Sequence, residues 1–505
     1  MLNRPARSTF HVKHQPQIVL LVVLAILLSS CTMSRNPISG NKRAYAYSWA
    51  QERELGAQAD QQIRGVYGFY EDQELSRYVE EVGQEVLQES HMRRPDTAQE
   101  FAETPFVFRV LDSPVVNAFA LPGGYVYVTR GLLTHLNNEA QLAVVLGHEI
   151  GHVAARHASQ RALEQQLGQL VLVGGAIVGQ ELLNLPAQDL LNLGGTAAQL
   201  MFLQYSRDDE RESDDLGVEY AARAGFAASE GSEFFRSLRR IGEEEGQALP
   251  GFMSTHPDPG EREQTIIDKA ATWSQQYQMD RFEQEDLYDA LAGVVVGDDP
   301  RQGYVSDGTF YHPNLRFQFP TPSGFQVVNQ ASQVVMVDEQ QQGVVVFNIS
   351  QQSSAQAAAR ELSSQQGLQV VDSGATESNG LPAYYVMADA DTEQGPLRLL
   401  SYYVEHRGSV YNFLAYTAKD SFSQYEDRFL RSMRGFATVT DAQILNAQPA
   451  RMEVVRAPQA ATFETFIPSQ MSSDMSSQDL AILNQVEVNQ QIASGSLLKL
   501  PVQGR

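Results

Sequence analysis

The sequence predicts a multidomain chain. A mainly α-helical domain with a small β-sheet comes first, then an α+β domain with an antiparallel sheet, then a small closing module. Three observations carry this expectation. The 505 residues exceed one ordinary domain. Apolar residues recur at helical spacing through most of the first 290 positions. From Phe310 onward they fall instead into short alternating runs.

The N-terminus reads as a leader. Arg4, Arg7 and Lys13 precede the apolar run Ile18–Leu28, which is too short for an ordinary membrane span, and small residues follow it. Leu28-Ser29-Ser30-Cys31 resembles the lipobox of bacterial lipoproteins, which implies lipidation of Cys31, the single cysteine. The expectation is a signal peptide over 1–30 and a tether or mounting strap over 31–50. By the sorting pattern of such lipoproteins, Thr32 in place of aspartate implies the outer membrane, facing the periplasm. A formal charge of −24 without a basic cluster excludes a nucleic-acid partner.

Within the helical domain (51–270), the spacing of Leu75, Tyr78, Val79, Val82, Val86 and Leu87 predicts a core-facing helix over Glu71–His91. Phe106–Asp112 alternates. Ala118–Leu121 and Tyr125–Thr129 read as strands around a Pro122-Gly123-Gly124 turn. A strand beside a cleft can pair with an extended peptide backbone, so Asn117, Ala118 and Ala120 are candidate substrate-binding residues.

Val144–His157 reads VVLGHEIGHVAARH. On a helix, His148 and His152 share one face and can meet a single cation. Imidazole suits Zn²⁺, and one ion per chain is expected. Glu149 falls where it can act as general base on a water that zinc acidifies. The acidic helix YSRDDERESDDLG offers the third ligand. Glu210 and Asp214 are four apart on a face continuing toward the core, so Glu210 can ligate while Asp214 orients a ligand histidine. Asp208, Asp209 and Glu219 read as a solvated face. A third zinc histidine of the metzincin kind is excluded, because Ala155 and Ala158 stand where glycine and histidine are needed. His157 is then an outer or structural residue. Between these helices, the apolar Gly-rich run after Leu170 reads as two buried helices joined by a mobile loop.

NAFALPGGYVYVTRGLL, LGHEIGHVAARH, YSRDDERESDDLG and STHPDPGER together resemble the gluzincin zinc metallopeptidases of the CAAX-prenyl-endopeptidase superfamily, in particular its bacterial periplasmic BepA/LoiP-like branch. The resemblance covers roughly residues 38–270. It implies zinc on His148, His152 and Glu210, Glu149 as base and Asp214 behind a histidine. It also brings His256 near the metal, as a transition-state helper or as a latency ligand in the open position. The implied activity is peptide-bond hydrolysis in unfolded or misassembled envelope proteins.

Residues 271–305 read as a polar helix (Trp273–Leu291) and a linker. The α+β domain spans 306–440, with helical patterns at Ala355–Ser364 and Ser421–Phe436 set on one face of its sheet. It resembles the PsbP/Mog1-like fold, and its lone His312 and His406 read as structural. After a linker, the end of the chain (441–505) resembles a degenerate LysM module, which implies a peptidoglycan partner. A cap on the preceding domain is the alternative.

Overall fold

The computed structural model describes residues 32–174, 205–244, 252, 256, 259–392, 395–468 and 475–504. The Gly-rich run expected to form two helices lies mostly outside them. The described residues begin with a hairpin, β1 (Thr32–Arg35) and β2 (Lys42–Tyr45). Ser48 then opens α1 (Trp49–Tyr67) with a capping box to Gln51. Asp72 accepts from the Glu74 and Leu75 amides and starts α2 (Gln73–Gln88), which buries Leu75, Val79, Val82, Val86 and Leu87 as its period requires.

Strands β3 (Val107–Leu111), β4 (Ala118–Leu121) and β5 (Tyr125–Thr129) make a sheet of order β3-β5-β4. β4 is antiparallel to β5 and lies at the edge. Gly123 and Gly124 turn between them at φ 83° and 99°. A Cβ on Gly123 would come within 2.6 Å of the Arg53 backbone, so only glycine fits.

Among the described residues of the first body, longer helices follow: α3 (Glu139–Ala155), α4 (His157–Gly174), α5 (Arg207–Arg223) and α6 (Gly231–Glu244). Then comes α7 (Pro259–Trp273). The helix expected over Trp273–Leu291 is not continuous. α7 stops at Trp273, and only α8 (Gln284–Leu291) follows. Arg281 is instead held extended, its amide donating to the Gly225 carbonyl while its carbonyl accepts from Ala227. That tertiary pairing overrides a weak, polar helical pattern.

At β6 (Val295–Val296) the chain leaves the first body. Strands β7 (Tyr304–Ser306), β8 (Thr309–His312) and β9 (Phe317–Pro320) begin a second one. Its main sheet has seven antiparallel strands in the order β10-β11-β12-β16-β15-β14-β13. These are β10 (Phe325–Asn329), β11 (Gln333–Asp338), β12 (Val344–Ser350), β13 (Leu368–Ser378), β14 (Leu381–Thr392), β15 (Gly395–His406) and β16 (Ser409–Ala418). Helices α9 (Ala355–Ser363) and α10 (Phe422–Arg434) pack on opposite faces rather than one. α9 covers Val386, Tyr403 and Val410, and α10 covers Tyr402, Val404 and Phe413. The strands carry apolar residues at both parities, so each face needs a cover. His406 bonds Thr438 at 3.0 Å, and His312 packs on Phe317.

The chain then returns. β17 (Ala450–Arg456) pairs with β6 on one side and with β18 (Leu497–Gln503) on the other. Met452, Leu498 and Leu500, with Leu480 and Leu483 of α11 (Ser477–Leu483), join the core built by α2, α3, α5 and α6. Residues 450–503 therefore cap the first body, and the α+β body is inserted between the two parts. Lys499, fully buried, fastens this cap by donating to the Thr134 and Leu136 carbonyls. Asn484 accepts from the Lys499 amide and donates to its carbonyl.

Candidate metal centre

α3 starts where the Asn138 side chain accepts from the Gln141 amide. It ends where Arg156 turns left-handed at φ 63°. Every residue from Glu139 to Ala155 is buried. α5 starts with a Ser206–Asp209 capping box, which puts Glu210 in its first turn. The two helices touch backbone to backbone: a Cβ on Gly217 would lie 2.8 Å from the His148 nitrogen, and one on Gly147 would lie 2.9 Å from the Gly217 carbonyl oxygen. Two glycines thus let Glu210 approach both histidines.

His148 Nε2 and His152 Nε2 lie 3.0 Å apart. Glu210 Oε2 is 3.6 Å from the first, and Glu210 Oε1 is 3.4 Å from the second. Bonds of 2.0–2.1 Å to a tetrahedral Zn²⁺ give ligand–ligand edges of about 3.3 Å, so this donor triangle has the size that zinc requires. His256 Nδ1 lies 3.3 Å from His148 Nε2 and 3.0 Å from Glu210 Oε1, at the fourth corner. The group is the set of residues His148, His152, Glu210 and His256, each 2% exposed or less. Both Glu149 carboxylate oxygens and His256 Nε2 are buried without a hydrogen-bond partner among the described residues. They face each other at 3.6 Å. Buried unpaired polar atoms are costly, and a water held by an ion at this cluster would give the Glu149 carboxylate a partner.

Electrostatics agree with a cation site. Burial lowers His148 to about 4 and His152 well below its usual value, so both imidazoles are neutral, the form that ligates a metal. Burial raises Glu149 to about 7, the range of a general base. Burial opposes charge on Glu210 and His256, but their mutual attraction outweighs it, so Glu210 is held low and His256 high.

His148 and His152 each have a partner behind them. Asp214 accepts from His148 Nδ1 at 3.0 Å, and Arg262 grips Asp214 at 2.6–2.9 Å and Glu210 at 3.1 Å. His152 Nδ1 meets His157 Nδ1 at 2.9 Å, and His157 Nε2 is bonded to Glu212 at 3.3 Å. Sequence reasoning missed the Glu212–His157 pair; the one signal for it was the position of His157 five residues after His152. It also missed Tyr205, whose ring stacks on His152 at 4.0 Å. The solvated-face expectation holds for Asp208 alone. Asp209 is buried against Arg161 and caps α5, and Glu219 pairs with Arg94. Of the expected substrate residues, Ala118 and Ala120 sit on edge strand β4, which packs against α3. Asn117 is buried just before it, its side-chain oxygen unpaired.

The model of peptidase family M48 matches residues 74–270 and so spans α2 to α7, including every residue of this cluster. That segment is similar to peptidase family M48. Among relatives, the beta-barrel assembly-enhancing protease of Escherichia coli is 29% identical over 263 residues, 51% of each chain. The mitochondrial metalloendopeptidase OMA1 of Homo sapiens is 35% identical over 164 residues, 31% of each chain. The chain thus spans about half the length, or less, of the relatives it matches. Two solved structures are also similar. Cyanobacterial PsbP is 18% identical with a TM-score of 0.23, over 27% of this chain and 96% of that one. Yeast Mog1p is 12% identical with a TM-score of 0.21, over 28% and 99%. Among the described residues no helix is long and apolar enough to cross a membrane.

Proposed function

We propose that the protein is a zinc metalloendopeptidase of the bacterial envelope that hydrolyses unfolded or misassembled envelope proteins. The observation that carries this is the buried His148, His152 and Glu210 triangle with the unpartnered Glu149 carboxylate beside it. Zinc, when bound there, supplies Lewis acidity to the scissile carbonyl and acidifies water. Glu149 takes the proton from the attacking water and returns it to the leaving amine. Asp214 and His157 hold the two imidazoles in the ligating tautomer. Substrate lies extended along β4, where Asn117, Ala118 and Ala120 offer backbone and side-chain hydrogen bonds that read no sequence. The relatives' names, an assembly-enhancing protease and a metalloendopeptidase, support protein substrates.

In the same reading Cys31 carries lipid and anchors the chain at the outer membrane, facing the periplasm. The inserted body is a PsbP/Mog1-like docking domain. Residues 450–503 place their apolar side chains in the core shared with the M48-like segment, so we assign them a capping role and leave peptidoglycan out of the proposed partners.

The position of His256 Nδ1 at the fourth corner favours a second reading, a largely latent protease that works as a chaperone or assembly factor. One experiment separates the two: zinc content and casein cleavage of wild type, Glu149→Gln and His256→Ala. Glu149→Gln is expected to keep zinc and lose about 10²–10⁴-fold in cleavage. Full cleavage by that variant with zinc bound refutes the mechanism. A faster His256→Ala establishes latency, and a slower one makes His256 a catalytic residue.

A further inference from the structure

The chain holds 37 basic and 61 acidic residues, yet residues 31–51 contain Arg35, Lys42 and Arg43 and no aspartate or glutamate. The β1–β2 hairpin gathers these cations. Its register sets Arg35 directly opposite Lys42, an arrangement that repels. Arg35 reaches the Gly40 carbonyl at 3.5 Å, and no carboxylate among the described residues pairs with Arg35, Lys42 or Arg43. Arg43 acts on Glu212 only at longer range. Met33 shares the outer face with Arg35 and, at 62% exposure, is the most exposed large apolar side chain among the described residues. Ala44, opposite it, is exposed too.

The other side of this segment is fastened to the metal centre. Asn36 donates to the Ala155 carbonyl at the end of α3 at 3.2 Å, and the Ala46 amide donates to Ser159. The Arg156 guanidinium lies 3.7 Å over the Tyr45 ring and is bonded to buried Glu52. β1 begins at Thr32, so no slack chain separates Cys31 from the hairpin. A segment that could have been a loose tether is a strap, and it joins the anchor point to the end of the ligand-bearing helix.

We propose that the outer face of this hairpin, formed by Met33, Arg35 and Lys42, lies against an anionic phospholipid surface and fixes how the metal centre faces the membrane; Arg43, opposite Ser34, points to the other face. The proposal rests on the reading of Cys31 as the lipid anchor. Phosphate headgroups relieve the Arg35–Lys42 repulsion, and Met33 enters the headgroup layer. Each cation near an anionic bilayer raises partitioning roughly fivefold, so Arg35 and Lys42 together give about 25-fold. The flat, extended face suits a surface rather than a free anion, for it forms no cradle. The cleft is then held in one orientation, toward chains lying at the bilayer.

The test uses the full chain reconstituted in phosphatidylcholine vesicles with and without phosphatidylglycerol, with a spin label at Met33→Cys or, for comparison, at exposed Val371→Cys. With Cys31 lipidated, the only free thiol is the introduced one, so one label per chain reports the anchor. The expected result is a label at 33 shielded from a water-soluble relaxant when phosphatidylglycerol is present. Replacing Arg35 and Lys42 with Gln should return it to the accessibility of the label at 371. A label at 33 as accessible as that at 371, with one label per chain, overturns the proposal and leaves the anchor intact. Two labels per chain remove the anchor reading. In that case flotation with phosphatidylglycerol vesicles and a shielded label at 33 still supports the hairpin contact, and failure to float removes both.

Discussion

Replacing Asp214 by Asn tests the account of the metal centre most directly. Asp214 holds His148 through Nδ1 at 3.0 Å, and its other contacts go to Arg262. Asn has the same shape but no charge, and its amide can turn a donor toward Nδ1, which opposes the tautomer that frees Nε2 for zinc. Arg262 keeps Glu210 at 3.1 Å, so the substitution leaves no cation wholly unpaired. Loss of such an outer partner lowers metal affinity about 10–100-fold. That corresponds to roughly 1.4–2.7 kcal/mol. The assay is zinc competition against a chromophoric chelator, with circular dichroism to confirm folding. His157→Ala, which removes the partner of His152 Nδ1, is expected to fall in the same range. An Asp214→Asn protein that binds zinc as tightly as wild type refutes the idea that Asp214 orients His148.

Three further outcomes are expected. Gly217→Ala sets a methyl 2.8 Å from the His148 nitrogen, which forces α3 and α5 apart; a loss of about 1–3 kcal/mol in denaturant unfolding and weaker zinc binding should follow together. Arg156→Met leaves the Glu52 carboxylate buried without its cation; unfolding should show a loss of about 3–5 kcal/mol, and a change below 1 kcal/mol would discount the pair. Lys499 is held well below its usual pKa by burial, so the unfolded chain binds the proton more tightly than the folded one. Its cost to stability is then complete below the folded pKa and fades as pH rises toward about 10.4. The melting temperature of wild type should rise relative to Lys499→Met as pH is raised from neutral, and parallel curves would refute it.

Much of the centre was legible in the residues. The i, i+4 spacing of His148 with His152 and of Glu210 with Asp214 is a helix property, and helices impose it wherever they fold. The bounds of β4 and β5 followed from alternation around the Pro-Gly-Gly turn for the same local reason. Periodicity could not show which distant groups meet. Asp209 and Glu219 read as solvated acids until Arg161 and Arg94 arrived from elsewhere in the chain. His157 gained its role only when α5 delivered Glu212, and Arg262 only when α7 crossed both Asp214 and Glu210. The glycine contact between α3 and α5 carries no apolar period, so nothing in the pattern marked it.

The sequence alone determined the chemistry on offer: which residues can ligate, which can take a proton, and on which local elements they sit. Tertiary structure decided the arrangement of the whole. The cap returns from position 450 to the first body and the α+β body is an insertion, because apolar faces pair by shape and area rather than by order along the chain. It also decided that the segment after Cys31 is a strap, since its bonds to Ala155, Arg156 and Ser159 join residues more than a hundred positions apart.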